Sequence, residues 1–210
     1  MIGGIEAGIM RIQLIRAHND FVSPQVFNRI FTMHGTTMIF FLVMPIAFGF
    51  ANYLIPLMIG ARDMAFPRLN AFSFWLMAFG GFLLYFSLIG ANGLYGAGNA
   101  PDVGWFAYAP LTSQTFSIGH STDFWTLGLL VSGFGSIGTA INILTTILCM
   151  RCPGMSLGKM PLLVWLNLVM SGLVAISPLT AAQLMLLTDR YLGAHFFDTQ
   201  AGGSARSIKF

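Results

Sequence analysis

The feature that most restricts this chain is where its charges are missing. Ten basic and seven acidic residues all fall outside four long intervals, Ile30 to Ala61, Leu69 to Pro101, Phe124 to Met150 and Met160 to Thr188. A helix needs about 20 predominantly apolar residues to cross a hydrocarbon core about 30 Å thick, so each interval can cross once. Composition agrees, with 56% hydrophobic and 8% charged residues where soluble domains carry about 25% charged. A soluble globular fold, a disordered chain and a nucleic-acid binder are thereby excluded. Two cysteines are too few for a disulfide-rich secreted domain.

The expected fold class is all-α, a polytopic transmembrane helix bundle. Its spans are predicted at about 31–59, 71–89, 124–150 and 162–187, preceded by a truncated N-terminal helix, because Met1 to Ile15 is too short to cross. Strands of a membrane barrel would alternate lipid-facing and lumen-facing residues, whereas Met38 to Ile46 is apolar at nearly every position. Pro45, Pro56 and Pro178 lie in or near these runs, a placement that membrane helices tolerate when neighbours pair the freed carbonyls. Arg62 and Arg68 follow the first span, and Arg151 and Lys159 follow the third, while Gly90 to Asp123 holds no Lys or Arg. The positive-inside rule then puts the two basic loops on the inner face. The N-terminus and the long loop lie outside, with Arg11, Arg16 and Arg29 as opposing charges. That loop, rich in Gly, Asn, Trp and Tyr, is predicted to form ordered turns on the membrane face. No cleavable signal peptide is expected, since Glu6 and Arg11 interrupt any apolar core at the start. Gly128, Ser132, Ser136 and Ala140 recur every fourth residue and predict a ridge that another helix approaches closely. No internal repeat supports the inverted-repeat design of transporters.

Few residues can carry chemistry. His34 sits near the outer end of the first span, where an ionisable group is costly and points to function. It reads either as an interfacial histidine bonded to a backbone carbonyl or as a neutral imidazole ligand to a metal or heme. Asn52, Asp63, Asn70 and Asn142 form a second set, most of it toward the inner ends of the spans. Amides there can order water or bond between helices. Cys149 and Cys152 make a C-x-x-C without the further ligands a zinc site needs. His18, His120 and His195 fall in polar loops and read as solvated. No nucleophile elbow, phosphate loop or paired-carboxylate site appears.

Several strings together resemble a known family. Phe-Thr-Met-His-Gly-Thr-Thr-Met-Ile-Phe-Phe at 31–41, and Pro-Leu-Met-Ile-Gly-Ala-Arg-Asp-Met-Ala-Phe-Pro-Arg-Leu-Asn at 56–70, are similar to subunit I of the heme-copper oxidases. So are Gly-Trp-Phe-Ala-Tyr-Ala-Pro-Leu at 104–111, Ala-Ile-Asn at 140–142, Leu-Leu-Thr-Asp-Arg at 186–190 and Phe-Phe-Asp at 196–198. The resemblance runs over nearly the whole chain. It implies that His34 is an axial ligand of the low-spin heme, of heme A type. Arg11 matches an arginine that bonds the formyl group of that heme, and Trp105 a tryptophan that meets a propionate of the high-spin heme. Asp63 matches the entrance carboxylate of a proton channel, Asn70, Asn52 and Asn142 its asparagines, and Ser136 one of its two serines. The companion serine position is Gly135 here.

Quinol-oxidising members carry a histidine and a glutamine where this chain has Val26 and Arg29, and an arginine where it has Ile2. The implied electron donor is therefore cytochrome c, with quinol as the alternative. Implied partners are oxidase subunits II and III and the lipid bilayer, with no nucleic acid. The implied location is the bacterial inner membrane, or alternatively the mitochondrial one. The copper histidines, the high-spin heme histidine and the second axial ligand belong to later helices of the family. Only His34 lies within a span, so the 210 residues are expected to be a piece of subunit I, inactive alone. Readings from other classes are a non-catalytic membrane fragment and a small channel or transporter. The resemblance predicts that DNA beyond the codon for Phe210 encodes, in some frame, a helix containing His-Pro-Glu-Val-Tyr or a near variant. Sequencing that region checks it, and unrelated sequence in every frame would leave a genuine short protein.

Overall fold

The computed structural model describes residues 1–88, 100–198 and 203. Among the described residues seven α-helices follow one another: α1 (Ile2–Gln13), α2 (Pro24–Met38), α3 (Met44–Ile59), α4 (Pro67–Phe86), α5 (Ser121–Cys149), α6 (Leu162–Ile176) and α7 (Pro178–Tyr191). They build four segments long and apolar enough to cross a membrane, Pro24–Ile59, Pro67–Phe86, Ser121–Cys149 and Leu162–Tyr191. The short α1 lies against α2, and α5 is the central helix, packed on α3, α4, α6 and α7.

The first three spans begin earlier than charge spacing placed them. Ser23 caps α2 by accepting the Val26 N–H at 3.4 Å, with Pro24 as first helical residue. Pro67 likewise opens α4, and Asp123 belongs to the first turn of α5. Prolines suit a first helical turn, whose N–H groups have no partner in the helix. Arg68 and Asp123 therefore sit in the first turns of helices rather than before them, and Arg29 lies buried in the second turn of α2. At its other end α4 stops at Phe86, and of the predicted span 71–89 only residue 89 lies outside the described residues. The predicted loop from Gly90 to Asp123 is described from residue 100 onward.

Two irregularities follow from proline. Between α2 and α3 one wide π turn, Ile39–Val43, keeps the first span continuous over 36 residues. Pro45 cannot donate to the carbonyl four residues back and its ring crowds that carbonyl; widening the turn absorbs both problems without ending the helix. The fourth span, expected as one helix, is instead broken. Ser177 adopts a left-handed conformation (φ 38°, ψ 68°) between α6 and α7.

The two basic loops meet at one end, where the Cys152 N–H donates to the Ile59 carbonyl at 2.9 Å. An inner core of Ile55, Ile59, Ile143, Ile147 and Val164 fills the space above them. An outer core of Met33, Leu84, Val103, Trp125 and Leu129 lies toward the opposite face. There Arg190 at the end of α7 holds the Asp123 carboxylate and the carbonyls of Thr112, Ser117 and Gly119.

The seam between α4 and α5 is made of residues too small to hold the helices apart. A Cβ on Gly80 would stand 2.5 Å from the Gly128 carbonyl oxygen, and one on Gly135 2.7 Å from that of Ser73. The expected ridge is real at Gly128 and Ser132, but it drifts. Gly135 and Gly138 meet α4 further down, because 3.6 residues per turn does not keep every fourth residue on one line. Gly80→Val is expected to lower the thermal stability of the purified protein, since the obstructing atoms are backbone and overpacking costs about 1–3 kcal/mol. Gly172→Ala, where no described atom lies within 4 Å of the added carbon, is expected to leave the melting temperature unchanged or slightly raised.

Candidate functional site

The outer site begins with a hydrogen bond between two helices. His34 Nδ1 lies 2.8 Å from the backbone carbonyl oxygen of Gly3. A carbonyl only accepts, so Nδ1 carries the proton, and Nε2 is the ring nitrogen left for a ligand. This is how proteins fix the tautomer and orientation of a metal-ligating imidazole. The bond depends on a close approach, because a Cβ on Gly3 would meet Met38 Sδ at 2.8 Å. Of the two readings of His34, carbonyl pairing is therefore present, and it leaves ligation open through the other nitrogen.

Trp105 is brought to the same place from far along the chain. The Gly104 N–H donates to Thr32 Oγ1 at 3.0 Å, and the Trp125 indole N–H donates to Thr36 Oγ1 at 2.9 Å. Both threonines are fully buried, so α2 holds the 104–108 turn on one side and α5 on the other. Trp105 then packs against Gly35, whose Cβ, if it had one, would be 2.6 Å from Trp105 Cδ1. Edge-on contacts from Trp105 to Phe106 and from Phe106 to Phe31 complete an aromatic cover beside His34. A cavity of about 400 Å³ opens under it, lined by Phe40, Leu129, Gln183 and Leu186.

Arg11 is exposed in the last turn of α1, about 12 Å further out than Gly3 at 1.5 Å rise per residue. It does not touch His34. Gly4, Gly8 and Arg11 share one face of α1 by helical spacing, and no described atom lies within 4 Å of a Cβ built on Gly4 or Gly8. An oriented imidazole nitrogen, a bare helix face and a guanidinium beyond it are what a large planar anionic macrocycle needs, so the residues fit a heme.

A second set of polar groups rises from the inner face. Asp63 is exposed in the loop after α3, and its Oδ1 accepts the Met64 N–H at 2.7 Å. Asn142, fully buried on α5, grips that loop from above. Its Oδ1 accepts the Phe66 N–H at 2.8 Å, and its Nδ2 donates to the Phe66 carbonyl at 3.2 Å. Thr146 Oγ1, one turn along, accepts the Ala65 N–H at 2.9 Å. Asn52 on α3 keeps a buried Oδ1 with no protein partner. Asn70 is half-buried in the first turn of α4.

Ser73, one turn above Asn70, is a polar group that sequence reasoning missed. It is buried, and its Oγ has no protein partner. Its signal was available as a lone hydroxyl three residues after Asn70 in an apolar helix. Ser136 is higher, about 20 Å above the inner end of α5 at 1.5 Å per residue, and donates to the Ser132 carbonyl at 3.1 Å. Among the described residues no group of three His, Cys, Asp or Glu side chains is placed to hold a metal ion.

Fold and site together define a multi-pass helical membrane protein with one oriented imidazole near its outer face and a line of small polar groups above its inner face. Residues 1–209 match the family described as cytochrome c and quinol oxidase polypeptide I, and the chain belongs to that family. It is 47% identical over 97% of its length to cytochrome c oxidase subunit 1 of Bacillus sp. (strain PS3), of which it covers 32%. It is 46% identical to the subunit 1 of Bacillus subtilis, also covering 32% of it, and 47% identical to a probable subunit 1-beta of Nocardia farcinica, covering 34%. The chain thus spans about a third of the length of the curated relatives it matches.

Asn142→Leu is expected to strip both partners from the Phe66 backbone, each unpaired buried group costing about 1–3 kcal/mol. Hydrogen exchange should then quicken at Phe66 and Ala65 with little change in α6. Unchanged protection at Phe66 would show that the clamp does not hold the loop.

Proposed function

We propose that this chain supplies part of subunit I of a cytochrome c oxidase in a bacterial membrane, carrying half of a low-spin heme site and the inner end of a proton path. The observation that carries the reading is the bond from His34 Nδ1 to the Gly3 carbonyl, which leaves Nε2 free to coordinate. His34 would hold the heme from one side, with Arg11 toward its formyl edge and the α1 face at Gly4 and Gly8 against the ring. When bound, the heme supplies one-electron transfer. The residues around it orient the ring and keep water away: Gly3 fixes the imidazole, and Trp105 closes the approach over Gly35. By the family resemblance, Trp105 would offer its indole to a propionate of a second, high-spin heme, which other segments of the family hold together with copper.

Asp63 collects protons from the inner phase through the carboxylate oxygen not taken by Met64. Asn70, Asn52 and Ser73 lie along the route above it and can order water, while Asn142 keeps the loop seated so that the carboxylate stays at the mouth. Ser136 continues the route upward. Donor and partners follow the family: electrons come from cytochrome c through subunit II, subunit III completes the complex, and oxygen is reduced to water with proton pumping. The relatives are named as cytochrome c oxidase subunits, which favours cytochrome c over quinol.

The test is a reduced-minus-oxidised spectrum of the assembled oxidase carrying His34→Leu. Loss of the six-coordinate low-spin signal with the complex still assembled is the expected result. A retained signal assigns the ligand elsewhere. Gly3→Ala, which shifts the hydrogen-bond acceptor and leaves the ligand, is expected to keep the signal and displace the midpoint potential of that heme.

A further inference from the structure

The buried face of α7 is polar for a membrane helix. Its buried residues are Thr180, Gln183, Leu186 and Arg190. Thr180 and Arg190 are satisfied within the chain: Thr180 Oγ1 lies 2.5 Å from Ser177 Oγ, and Arg190 holds Asp123 and three backbone carbonyls. Gln183 is not. It is 5% exposed, and its Oε1 has no hydrogen-bond partner among the described residues. A buried polar atom left unpaired costs about 1–3 kcal/mol, a cost that a leucine in its place would not carry. Movement of the helix cannot relieve it, because α7 is pinned on both sides of Gln183. Thr180 packs on Gly133 of α5, where a Cβ would collide with its Oγ1, and Arg190 is clamped at the outer end.

Gln183 lines the cavity of about 400 Å³ beneath Trp105. Phe40, Leu129 and Leu186 make an apolar wall, and Phe106 closes it on the side of Trp105. A space of this kind takes a flat, largely apolar group with a few polar substituents. The substituents meet two polar side chains, the Trp105 indole, which only donates, and the Gln183 amide, which does both. An amide pairs a carboxyl group in either of its forms, donating N–H to a carboxylate or accepting at Oε1 from the acid. The orphaned amide and the aromatic cradle over Gly35 therefore fit the carboxyl-bearing edge of a heme.

We infer that Gln183 binds a propionate carboxyl of the high-spin heme together with Trp105, its amide supplying the polar contact from the α7 side of the cavity. The inference rests on the reading of Trp105 proposed above. The two contacts come from separate elements: the 104–108 turn is held to α2 through Gly104 and Thr32, and α7 is held against α5. A carboxyl between them is fixed in orientation without depending on one loop. By donating to the carboxylate, the amide also offsets part of its negative charge and so favours the reduced form of the group it holds.

The test is a spectroelectrochemical titration of the assembled oxidase, with resonance Raman spectra of the propionate bending modes, comparing Gln183→Met, Gln183→Glu and Trp105→Phe. Methionine keeps the length and volume of the side chain and removes its hydrogen bonding. It is expected to raise the oxidised-to-reduced ratio of the high-spin heme at fixed potential about threefold to tenfold, the worth of one hydrogen bond, and to move a propionate mode while the low-spin heme stays unchanged. Gln183→Glu, which sets a second carboxyl against the first, is expected to shift the ratio further the same way. A propionate mode and ratio that move in Trp105→Phe but not in Gln183→Met overturn the role of Gln183 and leave the reading of Trp105 standing. No change in either variant removes that reading and the inference with it. Equal shifts of both hemes in Gln183→Met assign the effect to repacking and overturn it too. A high-resolution density map of the wild-type complex gives an answer free of variants: a heme carboxyl within hydrogen-bond distance of the Gln183 amide supports the contact, and a protein side chain or water in its place overturns it.

Discussion

In a hydrocarbon core no water pairs the backbone, so every N–H and C=O of a span must find its partner inside the protein. Most of this fold is the helical answer to that demand. Its irregularities are the places where proline makes the answer incomplete. Pro45 is absorbed by one widened turn, and the first span runs on. Pro178 is not absorbed, and the chain breaks at Ser177, whose hydroxyl pairs with that of Thr180. The same demand explains why polar side chains do so much backbone work: Asn142 grips Phe66, Thr32 holds Gly104, and His34 reaches back to Gly3.

Such long-range grips make the site a property of packing. His34 and Gly3 are 31 positions apart, and Thr36 and Trp125 are 89 apart. None of these bonds forms unless the helices approach within side-chain reach, and the glycines at 3, 80, 128 and 135 allow that approach. The small residues carry no chemistry, yet they set the distances at which the polar ones meet.

Much of this was legible in the sequence, and the limits have physical causes. Charge-free stretches gave the number of spans because burying an unpaired charge in lipid is prohibitive. They misplaced the starts, because Arg68 and Asp123 lie in the first turns of their helices and Arg29 in the second turn of α2, where the real signals are Ser23, Pro24 and Pro67. His34 stood out as an ionisable group inside an apolar run, but its pairing with Gly3 had no local sign, since the acceptor is a carbonyl that any residue carries. Trp105 was found only by resemblance: nothing in its neighbourhood says that a turn 70 residues away folds back over Gly35. Ser73 and Thr180 were passed over because a hydroxyl in a membrane helix usually bonds its own backbone. Only the packed helices show that Ser73 has no partner and that Thr180 faces a cavity.

The first span has a further consequence for the setting in which this protein works. At 1.5 Å per residue its 36 residues make a rod about 54 Å long, well beyond a hydrocarbon layer of about 30 Å. An unbroken rod of that length either leans or projects, and leaning is resisted by the helices wedged against it. Bilayer thickness then becomes a mechanical input: a thinner membrane leaves more of the rod standing clear, and the Asp63 loop at its inner end moves relative to the headgroups. Lipid composition thereby changes the ionic surroundings of Asp63 without any change in the polypeptide.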